Sequence, residues 1–193
     1  MNTLPRLAVL GSGKGSNFVA IQKAILTGKL KATIAIVVSD LPDAYILTHA
    51  KNFGLPTAVL PVSPFRTKLG PEGEIALVEL LQKNSIDWVI LAGYMRVVKE
   101  PLLSAYDGKI VNIHPSLLPS FKGLHAWEQA LQAGVDETGC TVHLVNKEID
   151  GGQIIAQQAV RVLPGDTAET LHARIQGAEH ELYPAAISKL LYP

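Results

Sequence analysis

Apolar residues fall into two kinds of stretch along this chain. Short continuous or alternating runs, at Arg6–Leu10, 32–38, 56–60, 87–92, 110–114, 139–145 and 153–160, each stop at glycine, proline or a polar turn, as strands do. Between them lie stretches with helical spacing. Phe18, Ile21, Ala24 and Ile25 form one, 44–53 closed by Gly54 a second, and 72–83 a third, with Ile75, Leu77, Val78, Leu80 and Leu81 mostly on one side. A short helix is predicted at 101–105, another near 126–133, and a long one over 167–191, striped by Leu171, Ile175, Ala178 and Leu182. The stretch 61–71 reads as loop. Strands alternate with helices and then end in a hairpin, so the pattern predicts a three-layer α/β fold with a mostly parallel mixed sheet and helices on both faces.

A chain of 193 residues fits one domain, 1–193, in which roughly 70% of the unfolded surface can be buried. Lys plus Arg and Asp plus Glu number 17 each, so no overall field draws the chain to nucleic acid or to an anionic membrane. The run at 7–10 is too short for a signal-peptide core, and the longest apolar runs, such as 86–92, fall far short of a membrane span. Cys140 has no second cysteine for a disulfide and no companion for a zinc motif, which fits a reducing compartment. A cytoplasmic location is expected, with small molecules as partners.

Candidate chemistry centres on residues 108–125. The strand at 110–114 ends where Pro115 withdraws its ladder donor, and period-two alternation sends Asn112 and His114 to one side. Either residue alone is more often structural. Side by side at the carboxyl end of a core strand they are costly unless something binds there, and open α/β sheets place their sites at that end. The turn 11–17, Gly-Ser-Gly-Lys-Gly-Ser-Asn, joins a strand to a helix and makes an anion site from backbone amides, with Ser16 and Asn17 as suitable caps. It is not a nucleoside-triphosphate loop, because Lys14 precedes the last glycine. It approximates the dinucleotide fingerprint through Gly11, Gly13 and Ser16, with Asp40 in the place of the ribose ligand, but the third glycine is missing. The apolar loop 93–98, holding Met95, Val97 and Val98, either lines a pocket for a flat heterocycle or packs under the next helix. Asp150 in Asp-Gly-Gly reads, on its own, as a hairpin turn residue.

The run Asn-Ile-His-Pro-Ser-Leu-Leu-Pro from Asn112, with Gly13-Lys-Gly-Ser-Asn17, Leu91-Ala-Gly-Tyr-Met-Arg-Val-Val98, Glu-Ile-Asp-Gly-Gly around Asp150 and Gln-Gly-Ala-Glu-His180, resembles the folate-dependent formyltransferases. Within them it is most similar to the glycinamide ribonucleotide formyltransferases, from Gly11 to Pro184 and in the family's order. The resemblance implies a Rossmann-like formyltransferase fold and formyl transfer from 10-formyltetrahydrofolate, as co-substrate, to the amine of glycinamide ribonucleotide in purine biosynthesis, with no metal. It makes Asn112, His114 and Asp150 the catalytic set, with Asn112 also touching the folate. Asn112 and a protonated His114 would meet the tetrahedral oxyanion, while Asp150 would favour the imidazolium and relay a proton. It gives Gly13, Lys14, Gly15, Ser16, Asn17 and Glu179 to the ribonucleotide, and Lys68, Met95, Arg96, Val97 and Val98 to the folate. His143 falls where the family also has a histidine near the site. Lys14 replaces a common asparagine, Phe121-Lys122 stands where an aromatic and a proline are frequent, and Lys68 stands near a frequent arginine whose fork it does not reproduce. Deformylases usually carry a regulatory domain in front and methionyl-tRNA formyltransferases a basic C-terminal domain. Neither occurs in these 193 residues, so the ribonucleotide transferase is expected, as a monomer or homodimer.

Overall fold

The structure, a computed structural model, describes residues 3–61, 63 and 65–193. Three of its strands open the chain, β1 (Arg6–Leu10), β2 (Thr33–Ser39) and β3 (Thr57–Val59), separated by α1 (Ser16–Leu26) and α2 (Tyr45–Asn52). Then come α3 (Pro71–Lys83), β4 (Trp88–Leu91), α4 (Leu102–Ala105), β5 (Ile110–His114), α5 (Ala126–Gln132), β6 (Glu137–Leu144), β7 (Ile154–Arg161) and α6 (Ala168–Leu191). The loop expected over 61–71 contains Val62 and Pro64, which lie outside the described residues. Pro71 at its end opens α3, where a missing N–H costs the helix nothing.

The strands form one sheet in the order β3-β2-β1-β4-β5-β6-β7. Pairing is parallel from β3 through β5 and antiparallel from β5 to β7. Alternate residues of a strand feed two cores. Leu7 and Val9, Ile90, and Val111 with Ile113 face α1, α2 and α6. Ala8 and Leu10, Val89 with Leu91, and Ile110 face α3 and α4. Helices thus cover both faces, which is why β1, β2 and β4 read as unbroken apolar runs. Asn112 and His114 share the parity of Ile110, so they emerge on the α3 and α4 side of the sheet.

The chain runs from β1 outward to β3, then returns to place β4 on the other side of β1. The loops after β1 and β4 therefore part in opposite directions and leave a crevice at the carboxyl ends of the strands. Tyr183 on α6, fully buried, braces this edge. Its hydroxyl donates between the carbonyls of Leu91, at 2.9 Å, and Val111, at 3.0 Å, the last residues before the crevice on β4 and beside Asn112 on β5.

Candidate active site

The β1 loop is shaped by close approach. Gly15 sits at φ 77°, and a Cβ there would lie 2.8 Å from both Cα and Cβ of Ile46 on α2. Gly11 is equally hemmed, with the Ala92 carbonyl 2.8 Å from where its Cβ would stand, whereas Gly13 has open space. Gly15, not Ser16 or Asn17, is the N-cap of α1, and no side chain caps the helix. This corrects the expected capping: the αL turn that brings the loop against Ile46 needs glycine at the boundary, which moves Ser16 and Asn17 into the first turn. The first-turn amides therefore take no side-chain cap among the described residues.

Asn17 turns its side chain across to α6, where Nδ2 donates to Oε2 of Glu179 at 2.8 Å, while its buried Oδ1 has no partner among the described residues. Glu179 is only 5% exposed, and burial pushes its carboxyl up to about 7 despite the Asn17 bond. A carboxyl raised from 4.5 to about 7 in the folded protein loses stability as pH rises through that window, on the order of 3 kcal/mol at full ionisation. Glu179→Gln keeps the Asn17 bond and removes the charge. Its thermal midpoint should match the native one below pH 4.5 and exceed it above 7. Burial also raises Glu74 on α3 to about 7, but that slope is common to both proteins and cancels in the difference. Equal midpoints above pH 7 would show that Glu179 carries no buried charge.

The β4 loop is held by a buried strut. Asp40, at the end of β2, accepts from Ser12 Oγ at 2.5 Å and pairs with Arg96 Nε at 2.6 Å. Ser12 Oγ in turn receives the Met95 amide at 2.9 Å, and Arg96 also donates to the Phe65 carbonyl. Asp40 is therefore a brace between the two loops, not a free acidic group awaiting a ribose. Arg96 keeps its guanidinium on this brace. Val98 is packed in the core with Leu69 and Leu102, Met95 is exposed, and Lys68 bridges to Val97 by backbone with its ammonium 4.4 Å from the Phe65 ring centroid. Arg96→Met leaves a buried carboxylate unpaired, and a loss of about 3 kcal/mol is expected. Retained stability would show the strut to be unimportant.

The three residues expected to act together do converge. Asp150 lies in the nine-residue connection 145–153 between β6 and β7, at φ 49°, so the Asp-Gly-Gly stretch is not a tight hairpin turn. Its Oδ2 accepts from the Gly123 amide at 2.9 Å and stands 3.4 Å from Nδ1 of His114. The other face of the His114 ring is committed, with Nε2 2.8 Å from the Phe121 carbonyl. A carbonyl only accepts, so Nε2 carries hydrogen and the ring offers its Nδ1 edge. Asn112 Nδ2 meets Nε2 of His143, opposite it on β6, at 3.2 Å. The segment after β5 is tied on both sides. Thr141 Oγ1 donates to the Ser116 carbonyl at 2.7 Å and receives the Leu118 amide at 3.0 Å, and Gln129 Nε2 reaches the carbonyls of Lys122 and Leu124.

Sequence reasoning missed Tyr183, the Asp40 brace and the Phe121 carbonyl. The Tyr183 and Asp40 contacts are long-range and leave no local pattern, while the Phe121 carbonyl reaches His114, seven residues earlier, only through the fold of the intervening loop. Cys140 is fully buried with its thiol pushed up to about 12, which makes it an inert core residue. Among the described residues no group of three or more His, Cys, Asp or Glu side chains is placed to hold a metal ion, and no helix is long and apolar enough to cross a membrane.

Comparison with known proteins places the whole chain in a family. A family model described as formyl transferase matches residues 5–187. The phosphoribosylglycinamide formyltransferase of Bacillus subtilis is 42% identical over 188 residues, covering 97% of this chain and 95% of that protein. The human trifunctional purine biosynthetic protein adenosine-3 is 46% identical over 182 residues, but the 94% of this chain that aligns spans only 18% of that much longer protein. The crystal structure of glycinamide ribonucleotide transformylase 1 from Geobacillus kaustophilus superposes with a TM-score of 0.91 at 46% identity, covering 98% of this chain and 100% of that one. The Rossmann-like architecture is common to both, and the chain belongs to the formyl transferase family.

Proposed function

We propose that this protein transfers the formyl group of 10-formyltetrahydrofolate to the amine of glycinamide ribonucleotide. The observation that carries the reading is the convergence of Asn112, His114 and Asp150 at the crevice between the β1 and β4 loops, in a chain that matches phosphoribosylglycinamide formyltransferases over nearly its whole length. In this reading the phosphate lies against the amides of Gly13, Lys14, Gly15, Ser16 and Asn17, and Glu179 meets the rest of the ribonucleotide. The folate lies along 93–98, with Lys68 beside it and its formyl group next to Asn112.

The amine attacks the formyl carbon and pushes charge onto the formyl oxygen. In this reading an Asn112 N–H meets that charge, with the Nδ1 edge of His114 beside it. Nδ1 of His114 stands 3.4 Å from Asp150 Oδ2, too far for a tight hydrogen bond, which leaves that ring edge free to face the reacting oxygen. Asp150 accepts the proton that the amine loses and returns one to the folate nitrogen as the carbon–nitrogen bond breaks. No covalent enzyme intermediate is needed. The lone buried thiol and the balanced charge favour a cytoplasmic enzyme acting on small molecules.

A formyl-labelled folate tests the reading. With carbon-13 in the formyl group, the label should appear as a formamide on the ribonucleotide amine, one equivalent for each tetrahydrofolate formed. Label released as formate, with the ribonucleotide unchanged, would make the protein a hydrolase.

A further inference from the structure

We infer that His143 is a positioning residue: its unprotonated Nε2 accepts a hydrogen bond from Asn112 Nδ2 and so turns the Asn112 amide to present its remaining N–H to the reacting oxygen. The inference rests on the reading of Asn112 as the oxyanion donor. An asparagine amide has two orientations of nearly equal shape, related by exchanging oxygen and nitrogen, and only one offers a donor. The surroundings must choose between them.

The choice traces back to the backbone. Nδ1 of His143 lies 2.9 Å from the Leu144 carbonyl oxygen, which only accepts, so Nδ1 bears the ring hydrogen. A neutral ring then has its lone pair at Nε2, 3.2 Å from Asn112 Nδ2, and that lone pair takes an N–H but not a carbonyl. The ring is 2% exposed, so water does not compete for it. The antiparallel register that sets Asn112 opposite His143 supplies the alignment.

Protonation of His143 would reverse the arrangement, because Nε2–H would draw Oδ1 of Asn112 and swing the donor away. The charged groups around the ring pull both ways. Asp150, with Oδ1 3.7 Å from Nε2, favours the proton, while His114 and Lys122 oppose it. Burial is the largest influence and holds His143 below the ordinary histidine range, which keeps the lone pair in place at neutral pH.

Two measurements test this. In native protein carrying nitrogen-15 histidine, His143 should show a protonated Nδ1 and a bare Nε2 at neutral pH; the opposite tautomer, or a cationic ring, would overturn the inference. In kinetics, His143→Leu should lower kcat on the order of 10²–10³-fold, as loss of an oxyanion donor does, with both Michaelis constants changed by no more than a few-fold. His143→Gln, whose side-chain oxygen can accept from Asn112 in place of Nε2, should recover most of kcat. Asn112→Ala with His143→Leu should be no slower than Asn112→Ala alone, since the two act as one unit. A His143→Leu enzyme with native kcat, a Gln variant as slow as Leu, or multiplying losses would each overturn it. A slow Asn112→Ala beside a fast His143→Leu removes only the positioning role, whereas a fully active Asn112→Ala removes the oxyanion reading itself.

Discussion

Asp150→Asn should nearly abolish turnover while both substrates still bind. Asparagine keeps the side chain's size and can still accept the Gly123 amide through its oxygen, so the connection 145–153 should hold its shape. It cannot accept the amine's proton or carry charge beside Nδ1 of His114. Loss of general acid–base assistance typically costs on the order of 10²–10⁴ in rate, and the loss here should fall entirely on kcat. His114→Asn should be similarly slow. The double variant should be far less than multiplicatively worse, because one proton path through both residues is broken only once. Steady-state kinetics with direct measurement of substrate binding checks this. An Asp150→Asn enzyme within a few-fold of native turnover would return Asp150 to the role of a loop residue and require a different proton acceptor.

Gly15→Val should be the most damaging change in the β1 loop, the proposed ribonucleotide site. At φ 77° a β-branched residue is strained, and its Cβ would run into Ile46 at 2.8 Å. The loop must move away from α2, breaking the bond from the Ile46 amide to the Gly13 carbonyl, at 3.1 Å, and tilting the amides proposed to face the phosphate. Strain and overpacking together should cost roughly 2–5 kcal/mol of stability. The ribonucleotide Michaelis constant should rise roughly 10–100-fold, the worth of one charge-assisted hydrogen bond, with folate binding nearly intact. Gly13→Ala is the control. A Cβ there meets open space, so thermal stability should be unchanged. Equal loss of both ligands in Gly15→Val would mean that the loop does not hold the ribonucleotide.

Much of this architecture could be read from the chain because burial writes itself into local pattern. Strands covered on both faces must be apolar throughout, so β1, β2 and β4 announced themselves, and Pro115 marked where β5 ends. Asn112 and His114 were legible as a pair because two polar residues separated by one position on such a strand are conspicuous. Asp150 was not legible in the same way. Asp-Gly-Gly is also what an ordinary turn looks like, and only folding of the β6 and β7 connection brings it 3.4 Å from His114; the family resemblance pointed to it before geometry could. The capping of α1 was misjudged because serine and asparagine are good caps locally, while the deciding contact comes from Ile46 on another helix. The Asp40 brace to Ser12 and Arg96 joins residues 28 and 56 positions apart, and nothing in the sequence marks such a bond. The same holds for Asn112 and His143, whose partnership depends on strand register.

The most direct test of the proposed reaction is to follow loss of the formyl group from 10-formyltetrahydrofolate in the presence and absence of glycinamide ribonucleotide, with Asp150→Asn run in parallel. The account predicts turnover that depends on the ribonucleotide and disappears in the variant. Turnover at the same rate in water alone would contradict it.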